Sequence, residues 1–123
     1  MCSYYLQNGG FKVNKPLKIK ENREFGRIYR RGKSYVSSSL VIYVLKNKKS
    51  NLRFGITTGK KIGNAVKRSR SRRIIRAAFS EIFPSVTGGY DLIFVARSKT
   101  PYLKSTDIKK DMEKLFKKAG LME

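Results

Sequence analysis

The stretch from Asn64 to Phe83, NAVKRSRSRRIIRAAFSEIF, constrains this chain more than any other, because two opposed demands are met in it only by a helix. From Lys67 to Arg76 it holds six basic side chains in ten positions. Its second half places Ile75, Ala78, Phe79 and Ile82 at i, i+3, i+4 and i+7, the spacing of a core-facing stripe. Successive helical residues turn by about 100°, so Arg68, Arg72 and Arg76 form a neighbouring stripe across about 80° of surface. Arg73 widens that stripe, whereas Lys67 and Arg70 project to other sides. Asn64 suits the N-cap. The helix start adds a positive dipole and free N–H groups, with Lys60 and Lys61 just ahead of it. Stacked arginines repel one another, and Glu81 is the only carboxylate in the helix. Arginine outnumbers lysine five to one between Lys67 and Arg76. Its planar fork grips phosphate oxygens in pairs and stacks on bases. A run with no balancing acids reads as a surface built to meet a polyanion.

The whole chain supports this. Its 29 Lys and Arg against 8 Asp and Glu give a net charge of +21, and self-repulsion at that density opposes compaction unless a polyanion supplies counter-charge. Nucleic acid is the first reading of that polyanion and an anionic membrane surface the second. The longest apolar run, Leu40 to Leu45, falls far short of the ~20 residues that span a bilayer. The N-terminus lacks a signal-peptide pattern, so a cytoplasmic protein with no membrane partner is expected. Cys2 is the single cysteine and histidine is absent, which removes internal disulfides and the usual zinc sites.

At 123 residues the chain is one domain. Residues 1–14 lack a clear period and read as a flexible arm, leaving residues 15–123 as the domain. KENREFGRIYRRG predicts a short helix, with Phe25, Ile28 and Tyr29 on one face and Gly32 ending it. SSSLVIYVLK predicts a buried strand, and the region from Tyr35 to Leu45 can divide into two. In LRFGITTG, Leu52, Phe54 and Ile56 alternate with Arg53, Gly55 and Thr57, a half-buried strand. After the long helix, YDLIFVARS predicts another strand. A last helix carries Ile108, Met112, Leu115, Phe116 and Ala119 inward and closes at Gly120. The order α-β-β(-β)-α-β-α implies an α+β fold built as a two-layer α/β sandwich.

Strand parity turns Leu40, Ile42 and Val44 to one sheet face, which packs on helices. Tyr43 falls on the other, which is free to be an open cleft. Phe25, Tyr29 and Tyr43 are therefore either ordinary core or rings on which single-stranded bases stack. The catalytic inventory is thin. Asp107 and Asp111 share a helix face but alternate with lysines and read as solvated, and GKKIGNAVK is not a P-loop. Chemistry is expected from another component. A ribosomal or ribosome-assembly RNA-binding protein and a self-sufficient nuclease remain as rival classes.

KKIGNAVKRSRSRRIIRAAF resembles the signature of the bacterial ribonuclease P protein subunit: a Lys-rich loop, Gly-x-Ala-Val, then an Arg-Asn-Arg core with further spaced arginines. REFGRIYRRGKSY resembles that family's first helix and YDLIFVARS its later strand, so the likeness runs from about Leu17 to Leu121. The resemblance implies a ribonucleoprotein endonuclease that removes the 5′ leader of precursor tRNA. Its RNA subunit performs the cleavage with Mg2+, and the small protein, monomeric and 1:1 with that RNA, binds both the RNA and the leader. It also implies a left-handed βαβ crossover through the Arg-rich helix, against the general preference for right-handed connections. By position, Lys60, Lys61, Asn64, Arg68, Ser69, Arg70, Arg72, Arg73 and Arg76 match the signature that faces the RNA subunit. Phe25, Tyr29 and Tyr43, bordered by Arg68 and Arg72, match the leader cleft. Ser69 stands where the signature has asparagine and lacks the amide's reach and second donor.

Overall fold

The structure, a computed structural model, describes residues 16–47, 52–86 and 89–122. The expected arm, residues 1–14, lies outside them. Along the chain run β1 (Leu17–Lys18), α1 (Asn22–Arg31), β2 (Lys33–Val36), β3 (Leu40–Lys46), β4 (Arg53–Thr57), α2 (Ala65–Ile82), β5 (Tyr90–Ala96) and α3 (Ser105–Ala119). The strands form one sheet in the order β1-β4-β5-β3-β2. β2 and β3 are a hairpin, with Val36 opposite Val41, so the region from Tyr35 to Leu45 does divide in two. The Ser37 hydroxyl accepts the Leu40 amide at 3.1 Å and turns the chain between them. β3 pairs antiparallel with β5, and β4 pairs parallel with β5, so α2 is the crossover of a β-α-β unit. β1 lies parallel to β4 and was not expected from the sequence; two residues carry no period.

The alternation along the strands sorts the sheet into two unequal faces. Leu40, Ile42, Leu52, Leu92 and Phe94 are buried on one, against Ile74, Ile75, Ala78, Phe79 and Ile82 of α2 and Ile108, Met112, Leu115 and Phe116 of α3. Phe79 sits at the middle, its centroid 5.2 Å from Phe54, 5.0 Å from Phe94 and 6.3 Å from Phe116. All four apolar positions expected to face inward from α2 do so. At roughly 1.5–3 kcal/mol per fully buried large apolar side chain, this layer is the main source of stability. Asn64 caps α2 by accepting the Lys67 amide at 3.0 Å, and Gly120 closes α3 with φ +83°.

The other face carries a smaller cluster of Ile19, Ile28 and Ile93, with Phe25, Tyr43, Leu45 and Val95 half-buried around it. α1 lies on this face, so only part of it is open. Two glycines set the approach of α1. A Cβ on Gly55 would fall 2.5 Å from Phe25 Cζ, so the bare β4 backbone is what lets that ring lie on the sheet. Gly32 ends α1 as expected but with φ −75° rather than a left-handed turn. It is required by space, since a Cβ there would fall 2.5 Å from the Ile28 carbonyl oxygen.

Candidate nucleic-acid interface

The open part of the second face brings together residues from four elements. Tyr29 of α1 meets Tyr43 of β3 edge to face, with centroids 4.8 Å apart. The Tyr29 hydroxyl is 3.3 Å from Thr57 Oγ1 at the end of β4. The next residue, Thr58, accepts from Arg72 Nη1 of α2 at 3.0 Å. A strip therefore runs from an aromatic pair, Tyr29 exposed and Tyr43 half-buried, over two hydroxyls, to the guanidinium of Arg72. Arg68 lies one turn earlier on the same helix edge and is half-buried. Tyr29 is 38% exposed, enough for its free ring face to meet a base. Phe25 differs. Its ring lies over Gly55 within the Ile19–Ile28–Ile93 cluster, so it is the floor of the cleft more than a surface.

The basic residues of α2 divide between its two edges. Arg68, Arg72 and the exposed Arg76 follow the cleft side, as their spacing predicts. Arg70 is on the opposite side, where its Nε donates to the Pro101 carbonyl at 2.7 Å. Arg73, expected to widen the first stripe, instead lines a groove with Arg70 beside the start of α3. The helix turns Arg73 about 60° from Arg76 and also about 60° from Arg70, and it leans to the latter. Ser69 is exposed between the two edges. Lys60 and Lys61 are exposed on a 3₁₀ turn pinned by the buried Ile62. Gly63, with φ +127°, turns the chain from there into the cap. Asn64 spends its side-chain oxygen on that cap.

Two carboxylates of α3 are taken up by the fold. Asp107 accepts the Lys104 amide at 3.2 Å and caps α3, and Asp111 accepts the Ser39 hydroxyl. Both were expected to be merely solvated; each is used to fix α3. Sequence reasoning also missed Asp91, which is 1% exposed. Its oxygens accept from Arg53 Nε at 3.0 Å, Asn47 Nδ2 at 2.8 Å and Arg27 Nη2 at 3.1 Å, and Arg53 also reaches Glu24 at 2.9 Å. This network ties α1 to β4 and β5 beside a cavity of about 460 Å³. It holds α1 in the position that brings Tyr29 onto Tyr43. One signal was available: Asp91 is the only charge in an otherwise apolar strand. Among the described residues, no three His, Cys, Asp or Glu side chains converge as metal ligands. No helix among them is long and apolar enough to cross a membrane.

Comparison with known proteins identifies the family and the fold. The family model described as Ribonuclease P matches residues 13–120. The Ribonuclease P protein component of Oceanobacillus iheyensis is 38% identical over 112 residues, covering 90% of this chain and 93% of the relative. That of Clostridium novyi is 42% identical over 111 residues, covering 89% and 98%. Among solved structures, the RNase P protein of Staphylococcus aureus superposes with a TM-score of 0.78 at 33% identity, over 89% of this chain and all of that one. The RNase P protein of Thermotoga maritima, at 24% identity and a TM-score of 0.74 over 82% of this chain and 96% of that one, shares the fold. A near-full-length family match, relatives near 40% identity and a common fold leave one conclusion: this chain belongs to the ribonuclease P protein family.

Proposed function

We propose that this chain is the protein subunit of ribonuclease P and assists the maturation of tRNA at its 5′ end, the RNA subunit performing the cleavage. Family membership supports the role, and the strip from Tyr43 through Tyr29, Thr57 and Thr58 to Arg72 is the observation that carries it to particular residues. The strip combines what an extended single strand requires: ring faces for bases, hydroxyls for sugar and phosphate oxygens, and a guanidinium for charge. The 5′ leader of precursor tRNA occupies it, with Tyr29 and Tyr43 as stacking surfaces, Phe25 as their support, and Arg68 and Arg72 at its border. The outer faces of α2 and the turn before it meet the RNA subunit through Lys60, Lys61, Asn64, Ser69, Arg70, Arg73 and Arg76. Mg2+ serves the RNA subunit, and this chain contributes positive charge that lowers the magnesium the complex needs. One protein binds one RNA.

The test is reconstitution with a bacterial ribonuclease P RNA at low magnesium. Added protein should raise the rate of leader cleavage, and precursor with a leader should bind the complex better than mature tRNA. Absence of both effects overturns the reading. Recovery of ribosomal RNA rather than one catalytic RNA on copurification would favour a ribosomal role instead.

A further inference from the structure

The edge of α2 opposite the leader cleft carries a second combination of ring and charge, centred on Tyr102. This residue closes the 3₁₀ turn Thr100–Tyr102 and is 68% exposed, an unusual position for a large ring. The turn beneath it is firmly anchored. Thr100 and Pro101 are buried, and Thr100 Oγ1 donates to the Ser39 carbonyl and accepts the Arg97 amide at 2.9 Å. Arg70 fastens the same turn to α2 through the Pro101 carbonyl. The Lys67 ammonium sits 5.3 Å from the Tyr102 ring centroid. Next to the ring, a groove of about 320 Å³ is lined by Arg70, Arg73, Leu103, Lys104 and Ser105. It holds three cationic side chains beside the first turn of α3. None of the cationic groups Lys67, Arg70, Arg73 and Lys104 forms an ion pair with an acid among the described residues. A pinned, exposed ring under a cation, beside a groove of unpaired cations, has the two surfaces a nucleotide needs.

We propose that Tyr102 is a base-stacking platform for an unpaired nucleotide of the RNA subunit, whose phosphate lies in the groove of Arg70, Arg73 and Lys104. The proposal rests on the ribonuclease P reading and deepens it: α2 is gripped on both edges, by the leader on one and by the RNA subunit on the other. Lys67 covers one face of the ring in the free protein and moves aside or pairs with a phosphate when the base arrives.

The experiment measures affinity of the full chain for a ribonuclease P RNA without substrate, for wild type, Tyr102→Ala, Tyr102→Phe and Lys104→Ala. Tyr102→Ala should weaken RNA-subunit binding by about 5- to 150-fold with an unchanged salt slope, the loss of one stacked base. Tyr102→Phe should bind within about twofold of wild type, since the ring face is retained. Lys104→Ala should instead lower the salt slope by about 0.7, one single-strand phosphate contact. Urea unfolding should show the Tyr102 variants as stable as wild type. Unchanged affinity of Tyr102→Ala, or a loss seen only in precursor binding by the assembled complex, overturns the proposal. A wild-type chain with no affinity for the RNA subunit overturns the ribonuclease P reading and this one with it.

Discussion

Asp91 is the residue on which the position of the cleft depends. It is 1% exposed and shared by Arg27 and Arg53, the latter 14% exposed. Removing one partner of a buried pair leaves the other charge uncompensated, at a cost of about 3–5 kcal/mol. Asp91→Ala should lower the free energy of unfolding in urea by less than that, because Arg53 keeps Glu24 and Arg27 is 44% exposed to solvent. Its leader affinity should fall as well, because α1 is no longer held. Phe25 and Tyr29, one turn apart on the same helix, should separate cleanly. Phe25→Ala opens a hole over Gly55 and should cost about 2–4 kcal/mol of stability, within the range for large-to-small changes at a half-covered ring. Tyr29→Ala should change stability by less than about 1 kcal/mol yet weaken leader binding by about 1–3 kcal/mol. Denaturant melts and leader-length binding series on the two variants decide the assignment. The sequence placed both rings on one helical face but did not reveal that Gly55 lies beneath one of them. That depends on which strand α1 crosses.

Among the elements, α2 was the most legible. Its 18 residues repeat the apolar spacing long enough to define a core face, and its cap is a local hydrogen bond. The edge to which each arginine leans was less legible, because a long side chain reaches whatever the neighbouring elements offer. Arg72 finds Thr58, Arg70 finds Pro101, and Arg73 turns to the groove beside Arg70. Arg72→Ala should weaken precursor binding and reduce its salt slope by about 0.7. An unchanged slope would show that Arg72 only braces Thr58. β1 was illegible for the opposite reason. Two residues become a strand only because β4 presents a free edge, with the Leu17 amide donating to the Leu52 carbonyl at 2.9 Å.

At the scale of the molecule, the charge of +21 acts on stability and binding in opposite senses. Salt shortens the Debye length from about 30 Å at 0.01 M to about 8 Å at 0.15 M, relieving repulsion between surface cations. Thermal unfolding of the free protein should therefore move to higher temperature over that interval. RNA affinity should fall steeply over the same interval, since each neutralised phosphate releases counterions. An RNA ligand at about 100 times its Kd should add roughly 2.7 kcal/mol to the folded state. A melting temperature insensitive to both salt and RNA would mean that the basic residues are too dispersed to repel one another or to bind as a surface.

By itself the sequence determined the composition of the surface, the helices and main strands, the core-facing stripe of α2 and, through one long signature, the family. These properties are local: each follows from residues within a few turns or alternations of one another. Only the tertiary structure decided that α1 lies on the second face of the sheet over Gly55, that Asp91 holds it there, and that Arg72 and Tyr29 reach adjacent threonines. It also decided that Tyr102 stands exposed beside the far edge of α2. Each of those depends on contacts between residues far apart in the chain, and they form only when burial of the two apolar faces has brought the elements together.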